Sequence, residues 1–361
     1  MDLLFGNLGD VLNEFRCLHF FIFKISSSAL LKAFGRLFFW LLSESEMEIL
    51  KDIKVLDLST VLAGPSVGSF FAEMGAEVLK VEHPSHPDVT RSWKLSSENP
   101  NDKVSAYFAS VNTGKQYIHL DLTMPEDQRK LKELLSDCDI LLSNFKKGDD
   151  VKFGLGWSTL KKDFPKLIHG KITGFGSESD RVAYDLILQA ESGFMSMNGD
   201  QNSPPTKMPV ALIDVLAAHH LKEGLLLALL ERKELNKGKK VEVSLFDAAV
   251  TSLVNQASNY LMQKHVPRRI GSLHPNIAPY GEIFTTKDQA QITFAIGSNR
   301  HFEGLCSILG LNALPEDKKF KSNQQRVIHR NELQEILALE ISLLDLDHLT
   351  DLPRRLNIPM G

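Results

Sequence analysis

An α/β fold with a doubly wound, mostly parallel sheet follows from three features of the 361-residue sequence. From residue 53 onward, short apolar runs alternate with helix-length segments. Glycine and proline punctuate the boundaries. The first run, Ile53 to Leu58, is rich in leucine and β-branched residues, as a buried strand is. The elements then follow in order. Ala63-Gly-Pro-Ser-Val-Gly68 reads as a turn, Ser69 to Met74 as a short helix, and Gly75 as its C-cap. Glu77 to Glu82 is the second strand and Tyr117 to Leu122 the third. Pro125 to Ser136 is an amphipathic helix. Asp139 to Asn144 and Leu167 to Thr173 are the fourth and fifth strands. Val215 to Arg232 is a long helix, Lys240 to Phe246 a strand, and Asp247 to about Gln263 a further helix. His265 to Pro279, with its prolines, reads as a linker. Two short strands around Lys287-Asp288 and helices at Asn299–Leu309 and Arg330–Ser342 make a smaller α+β unit. The expected division is an extension at 1–46, a large domain at 47–250, a helix and linker at 251–276, a small domain at 277–345 and a last segment at 346–361.

Composition narrows the function. Hydrophobic residues are 43% and charged residues 24%, which is ordinary globular usage. A net charge of −4 gives no reason to expect a nucleic-acid partner, whose phosphates call for a basic surface. Cys17, Cys138 and Cys306 are far apart and odd in number, so neither a disulfide framework nor a zinc site is expected, and a reducing cytoplasm fits. From Phe15 to Ser43 there is no acidic residue, but Arg16, Lys24, Lys32 and Arg36 break the apolar stretch below membrane-span length. It reads as an extension outside the fold, with an interfacial helix or a transit peptide as alternatives.

A strand, a glycine turn, a helix and a strand ending in Glu82 outline a dinucleotide site. The turn is not G-x-G-x-x-G, however, and Pro65 removes an N–H that a pyrophosphate would use. The plainer reading is a close-packed turn with Glu82 solvated. Asp214, directly before the helix at Val215, suits an N-cap. That is the plainer reading of the spacing; the same place also suits a carboxylate that a helix N-terminus keeps ionised.

The ordered motifs Val55-Leu-Asp-Leu-Ser-Thr-Val-Leu-Ala-Gly-Pro65, Met74-Gly-Ala-Glu-Val-Leu-Lys-Val-Glu82, Asp88-Val-Thr-Arg91, Asn112-Thr-Gly-Lys-Gln116 and Ile118-His-Leu-Asp-Leu122 resemble the class III CoA-transferase family, which includes α-methylacyl-CoA racemases. Asp139-Ile-Leu-Leu-Ser-Asn-Phe145, Gly154-Leu-Gly156, Ile172-Thr-Gly-Phe-Gly176, Tyr184-Asp185, Val210-Ala-Leu-Ile-Asp214, Lys237-Gly-Lys-Lys-Val-Glu-Val-Ser-Leu-Phe-Asp247 and Pro279-Tyr280 continue it over about residues 50–361. The resemblance implies a Rossmann-like large domain, a small domain and an interlocked homodimer. In such a dimer the C-terminal segment returns to the large domain, and roughly 60–80 residues typical of the family would follow the last residue here.

The resemblance also implies a chemistry. Asp214 would be the nucleophile, moving CoA between two carboxylic acids through a covalent aspartyl intermediate. Gly174 and Gly176 are candidates for oxyanion donors or simply for turn geometry. Val61, Ala63, His83, Lys115, Asn144, Phe145, Lys152 and Tyr184 would bind CoA, with Lys146 and Lys147 supplementing His83 at the phosphates. No metal and no cofactor beyond the CoA thioester substrate is implied. The racemase branch pairs its aspartate with a histidine base. Tyr184 stands there instead, and a phenol with a pKa of about 10 is a poor base at neutral pH, so transfer is expected over racemisation. The acids implied are dicarboxylates such as succinate and glutarate, small acids, or carnitine-type substrates. Arg268, Arg269 and His274 could meet the acceptor carboxylate. An NAD(P)-dependent dehydrogenase is the remaining alternative.

Overall fold

The computed structural model describes residues 48–349 and 358–361. The expected N-terminal extension, Cys17 and half of the expected last segment (350–357) lie outside the described residues. In chain order the main elements are β1 (Lys54–Asp57), α1 (Ala63–Glu73), β2 (Glu77–Glu82), α2 (Ala106–Ser110), β3 (Gln116–His119), α3 (Pro125–Leu135), β4 (Ile140–Ser143), α4 (Asp149–Lys152), α5 (Trp157–Asp163), β5 (Ile168–Thr173), α6 (Asp185–Glu191), α7 (Phe194–Met197), α8 (Leu212–Leu235), β6 (Lys240–Ser244), α9 (Leu245–Thr251), α10 (Val254–Gln263), β7 (Tyr280–Thr285), β8 (Gln291–Ala295), α11 (Asn299–Ile308), α12 (Asn323–Ile328) and α13 (Arg330–Ile341).

Strands β1 to β6 form one sheet in the order β3-β2-β1-β4-β5-β6. β1 pairs in parallel with β2 and β4, and β2 in parallel with β3. The order reverses between β1 and β4. Open sheets of this kind take ligands beyond the carboxyl ends of the strands at such a reversal. The apolar runs are strands because both faces are covered: Val55, Leu56, Val78, Ile140, Leu141 and Leu142 are all buried.

Two helix starts differ from the sequence expectation. Helix α1 begins at Ala63 rather than Ser69. Pro65 is its third residue, where no intrahelical N–H is required. Gly64 and Gly68 are therefore helical, and their role is close approach. A Cβ on Gly64 would lie 2.3 Å from Ser59 Cβ; one on Gly68 would lie 2.7 Å from Asp57 Oδ2 and 3.0 Å from Lys115 Nζ. Gly68→Ala is expected to lower stability by about 2 kcal/mol through overpacking, read as a lower urea midpoint; an unchanged midpoint would mean that the helix backs away freely. Gly75, at φ +91°, follows the C-cap Met74 as expected. Helix α8 begins at Leu212, not Val215, so Asp214 lies inside the first turn.

The chain gathers into two compact groupings. One comprises 48–143, 153–170 and 229–239; the other comprises 144–152, 171–228, 240–349 and 358–361. The second includes an antiparallel β7–β8 hairpin and a cluster containing Phe284, Phe294, Phe302, Phe320, Leu333 and Leu337. Each fully buried phenylalanine contributes about 1.5–3 kcal/mol, enough to carry one enclosed cation. That cation is Arg326, which donates to Ala278 O, Phe320 O and Asn299 Oδ1 and sits over the Phe302 ring. Residues 358–361 run beside β8, with Phe294 bridged to Met360.

Candidate active site

Helix α8 starts where it does because a side chain from another element caps it. Asp185, the first residue of α6, accepts from Ile213 N at 2.7 Å and from Asp214 N at 3.3 Å through Oδ1. Its Oδ2 accepts from Gln189 Nε2 at 2.6 Å. Gln189, one turn along the same face, is fully buried and accepts from Met208 N at 2.8 Å. Two residues of α6 thus clamp the chain entering α8. Asp214 is not the N-cap of its helix, and it does not receive the helix N-terminus for itself.

The consequence is electrostatic. The Asp214 carboxyl is half-buried. Burial first, and then the Asp185 charge, push it up to about 7. The expectation that the helix end would hold it ionised is therefore corrected: the N–H groups there are spent on Asp185. Among the described residues no hydrogen-bond donor or cation is paired with the Asp214 carboxyl.

The other expected site residues divide by grouping. In the second, Tyr184 is the extended N-cap residue of α6 and is exposed. Gly174 is a packing glycine, since a Cβ there would lie 2.3 Å from Ala183 Cβ, and its carbonyl accepts from Phe246 N. Gly176, at φ +91°, faces open space. Asn144 and Phe145 are half-buried just past β4, and Lys152 is exposed at the end of α4. Lys147 is tied to Glu178. Arg268 and His274 line a cavity of about 240 Å³ with His265, Arg330 and the apolar Ile270 and Leu273, whereas Arg269 donates to Ser196 O.

In the first grouping, the turn after β1 is held by buried charges. Asp57 Oδ2 accepts from Lys115 Nζ at 2.8 Å, and Oδ1 from Ser59 N at 3.0 Å. Burial would raise the Asp57 carboxyl, but Lys115 and Lys80 overcome it and hold it down at about 2. Lys80 donates to Ser59 O at 2.7 Å and pairs with Asp88 at 3.4 Å. Asp88 in turn accepts from Val61 N at 3.1 Å. Val61 itself has φ +74°. A β-branched residue in the left-handed region is strained by about 1–3 kcal/mol, and the network over-determines it. Ala63 is buried at the start of α1.

Two expected phosphate contacts are revised here. Lys115 spends its ammonium on Asp57, Pro65 O and Asn112 Oδ1. His83 Nδ1 accepts from Ser85 N and His86 N, and its Nε2 lies 3.4 Å from Asp121. Both side chains shape turns in this structure rather than presenting free donors. Glu82 is not solvated either: it is buried and paired with Arg91 at 2.9 Å. From the sequence Asp185 could orient Tyr184 or cap a turn; that it caps the start of α8, and the pairs of Lys80 and Glu82, are what sequence reasoning missed. The available signal was a charged residue inside each apolar strand run, which burial obliges to find a partner.

The six-stranded, mostly parallel sheet with flanking helices is an α/β fold. The chain belongs to CoA-transferase family III, whose model matches residues 50–361. It is 37% identical over 297 residues to a succinate–glutarate CoA-transferase of Agrobacterium fabrum, covering 81% of this chain and 74% of that protein. It is 36% identical over 295 residues to the succinyl-CoA:glutarate CoA-transferase of Mus musculus, covering 81% of this chain and 66% of that one. Among solved structures, a CAIB/BAIF family protein from Brucella suis matches with a TM-score of 0.70 at 33% identity, over 86% of this chain and 82% of that one.

Proposed function

We propose that the protein transfers CoA between two carboxylic acids, with dicarboxylates of the succinate and glutarate type as the acids and Asp214 as the nucleophile. One observation carries this reading: an unpaired, half-buried carboxyl raised to about 7 in the first turn of α8. A structural aspartate at a helix start is capped or paired. One kept poor in partners is available to attack.

The Asp214 carboxylate adds to the thioester carbonyl of an acyl-CoA. The C–S bond breaks, giving a mixed anhydride and CoA thiolate. The thiolate attacks the aspartyl carbonyl, releasing the donor acid and leaving an aspartyl-CoA thioester. The acceptor carboxylate then attacks that thioester, and the returning thiolate takes the acceptor acyl group. Asp214 is restored with no net proton change. The reading needs no metal and no further cofactor. The CoA path is assigned to Val61, Ala63, Asn144, Phe145, Lys152 and Tyr184, and oxyanion donation to the turn at Gly176. Lys115 and His83 serve by fixing backbone. The basic, acid-free lining around Arg268 and His274, with its apolar wall, supports an aliphatic carboxylate as acceptor.

Succinyl-CoA with a panel of dicarboxylates is expected to give the acceptor's CoA thioester. Deuterium wash-in at the α-carbon of a 2-methylacyl-CoA without any acceptor would instead support racemisation. The same proposal includes a homodimer and a cytoplasmic location. Helix α10 has no buried residue and exposes Val254, Leu261 and Met262, a face that a second copy would cover. Light scattering after size exclusion is expected to give twice the chain mass; a monomer would contradict it. For the location, no described helix is long and apolar enough to cross a membrane. The described cysteines, Cys138 and Cys306, are free thiols pushed up to about 12 by burial.

A further inference from the structure

We propose that Asp185 is a positioning residue for transfer: its carboxylate takes the N–H groups at the start of α8, fixing the first turn while leaving Asp214 without hydrogen-bond donors. The proposal rests on the reading of Asp214 as nucleophile.

A carboxylate at a helix start normally collects the free N–H groups there. It is then a stable anion and a weak nucleophile. Here Asp185 Oδ1 occupies that position, 2.7 Å from Ile213 N and 3.3 Å from Asp214 N. It cannot swing away, because Gln189 Nε2 holds Oδ2 at 2.6 Å and Gln189 is itself fixed by Met208 N. The turn that carries Asp214 is therefore held by a neighbour from another element. Asp214 keeps its place and stays free to react.

The second effect is charge. Two carboxyls share one helix end with no cation among the described residues paired to Asp214, and burial together with Asp185 raises the proton affinity of Asp214. Glu191 of α6, paired with Arg181 in the preceding loop, and Asp247 of α9, which packs against α6 as does the uncharged α7, do not contribute to that shift. A more basic carboxylate attacks a thioester faster once ionised, but it is ionised only above its raised pKa. Asp185 thus exchanges activity in acid for nucleophilic strength at neutral and higher pH.

Asp185→Asn removes the charge while its amide oxygen can still accept from both N–H groups; it also loses the bond from Gln189 Nε2, so Gln189→Leu, which loses that bond and keeps the charge, is measured beside it and is expected to leave the limb unmoved. The measurement is the pH dependence of kcat/KM for succinyl-CoA, with peptide mapping of Asp214 trapped by borohydride reduction of its thioester. Wild type is expected to show an acid limb with its midpoint near 7. The Asp185→Asn limb is expected to move down by roughly one unit, the scale of a neighbouring charge. Its rate above about pH 8 should fall several-fold, with KM within about twofold. A uniform loss at all pH with an unmoved limb, while Asp214 is still trapped, would overturn the proposal and leave the nucleophile standing. No trapped Asp214 in wild type would overturn both. Should the variant not fold, the wild-type limb decides: a midpoint below about 5, the range of an ordinary carboxyl, overturns it.

Discussion

Asp214→Asn is expected to abolish CoA transfer, by at least about a thousandfold in kcat, and at the same time to make the protein more stable above pH 7. The first effect follows from losing the nucleophile, because an amide cannot form and release the anhydride. The second follows from linkage. The folded carboxyl is raised to about 7, above its unfolded value of about 3.9. The folded state therefore holds a proton that the unfolded state gives up. Stability falls as pH rises from about 4 and is fully diminished above about 7. Asparagine removes that penalty. At a half-buried site screened by solvent the gain is on the order of 1–2 kcal/mol. It should appear as a melting temperature raised by a few degrees at pH 8 and absent at pH 4. Lost activity together with lost stability would instead mark Asp214 as a structural residue.

Asp57→Ala is expected to cost about 3–5 kcal/mol, because it leaves the buried Lys115 without its ion-pair partner, while Lys80 keeps Asp88. Lys115 and Asp57 are both fully enclosed, 2.8 Å apart. Asp57→Ala/Lys115→Met is expected to be less destabilised than Asp57→Ala alone, since the hole then holds one charge fewer. Urea unfolding of the set checks this; a double variant worse than the sum would show that the pair acts through shape alone. Acid should reveal the same carboxyl. Its folded value near 2 lies below the unfolded one, so its stabilisation is present above about pH 4 and is lost as pH falls through 2, on the order of 2 kcal/mol. The strained turn at Val61 is held by the same network, so under the proposed CoA path CoA affinity is expected to fall with it.

The strands were legible because burial on both faces writes an apolar run into the sequence, as at Val78 to Val81 and Ile140 to Leu142. Helix starts were less so. At α1, glycine and proline carry a turn signal, yet the same residues let a helix lie against Ser59 and Asp57. At α8, the local rule pointed to Asp214 as cap. The cap came instead from Asp185, 29 residues upstream, which no local spacing encodes. The site was legible as a set of motifs in order, but not as partners. Lys115 and His83 stand where a phosphate contact is expected, and only the folded arrangement shows Lys115 enclosed against Asp57 and the half-exposed His83 accepting from the backbone of its own turn. Glu82 differs from expectation for the same reason: the strand pattern alone does not show its partner, Arg91.

The most direct measurement is peptide mass spectrometry of the protein after incubation with succinyl-CoA and reduction with borohydride. A thioester or anhydride on Asp214 is reduced to an alcohol, converting that residue to homoserine. The expected result is homoserine at position 214, dependent on acyl-CoA and reversed in yield by prior addition of an acceptor dicarboxylate. Reduction at a different carboxyl, or none under conditions in which transfer proceeds, would contradict the central claim.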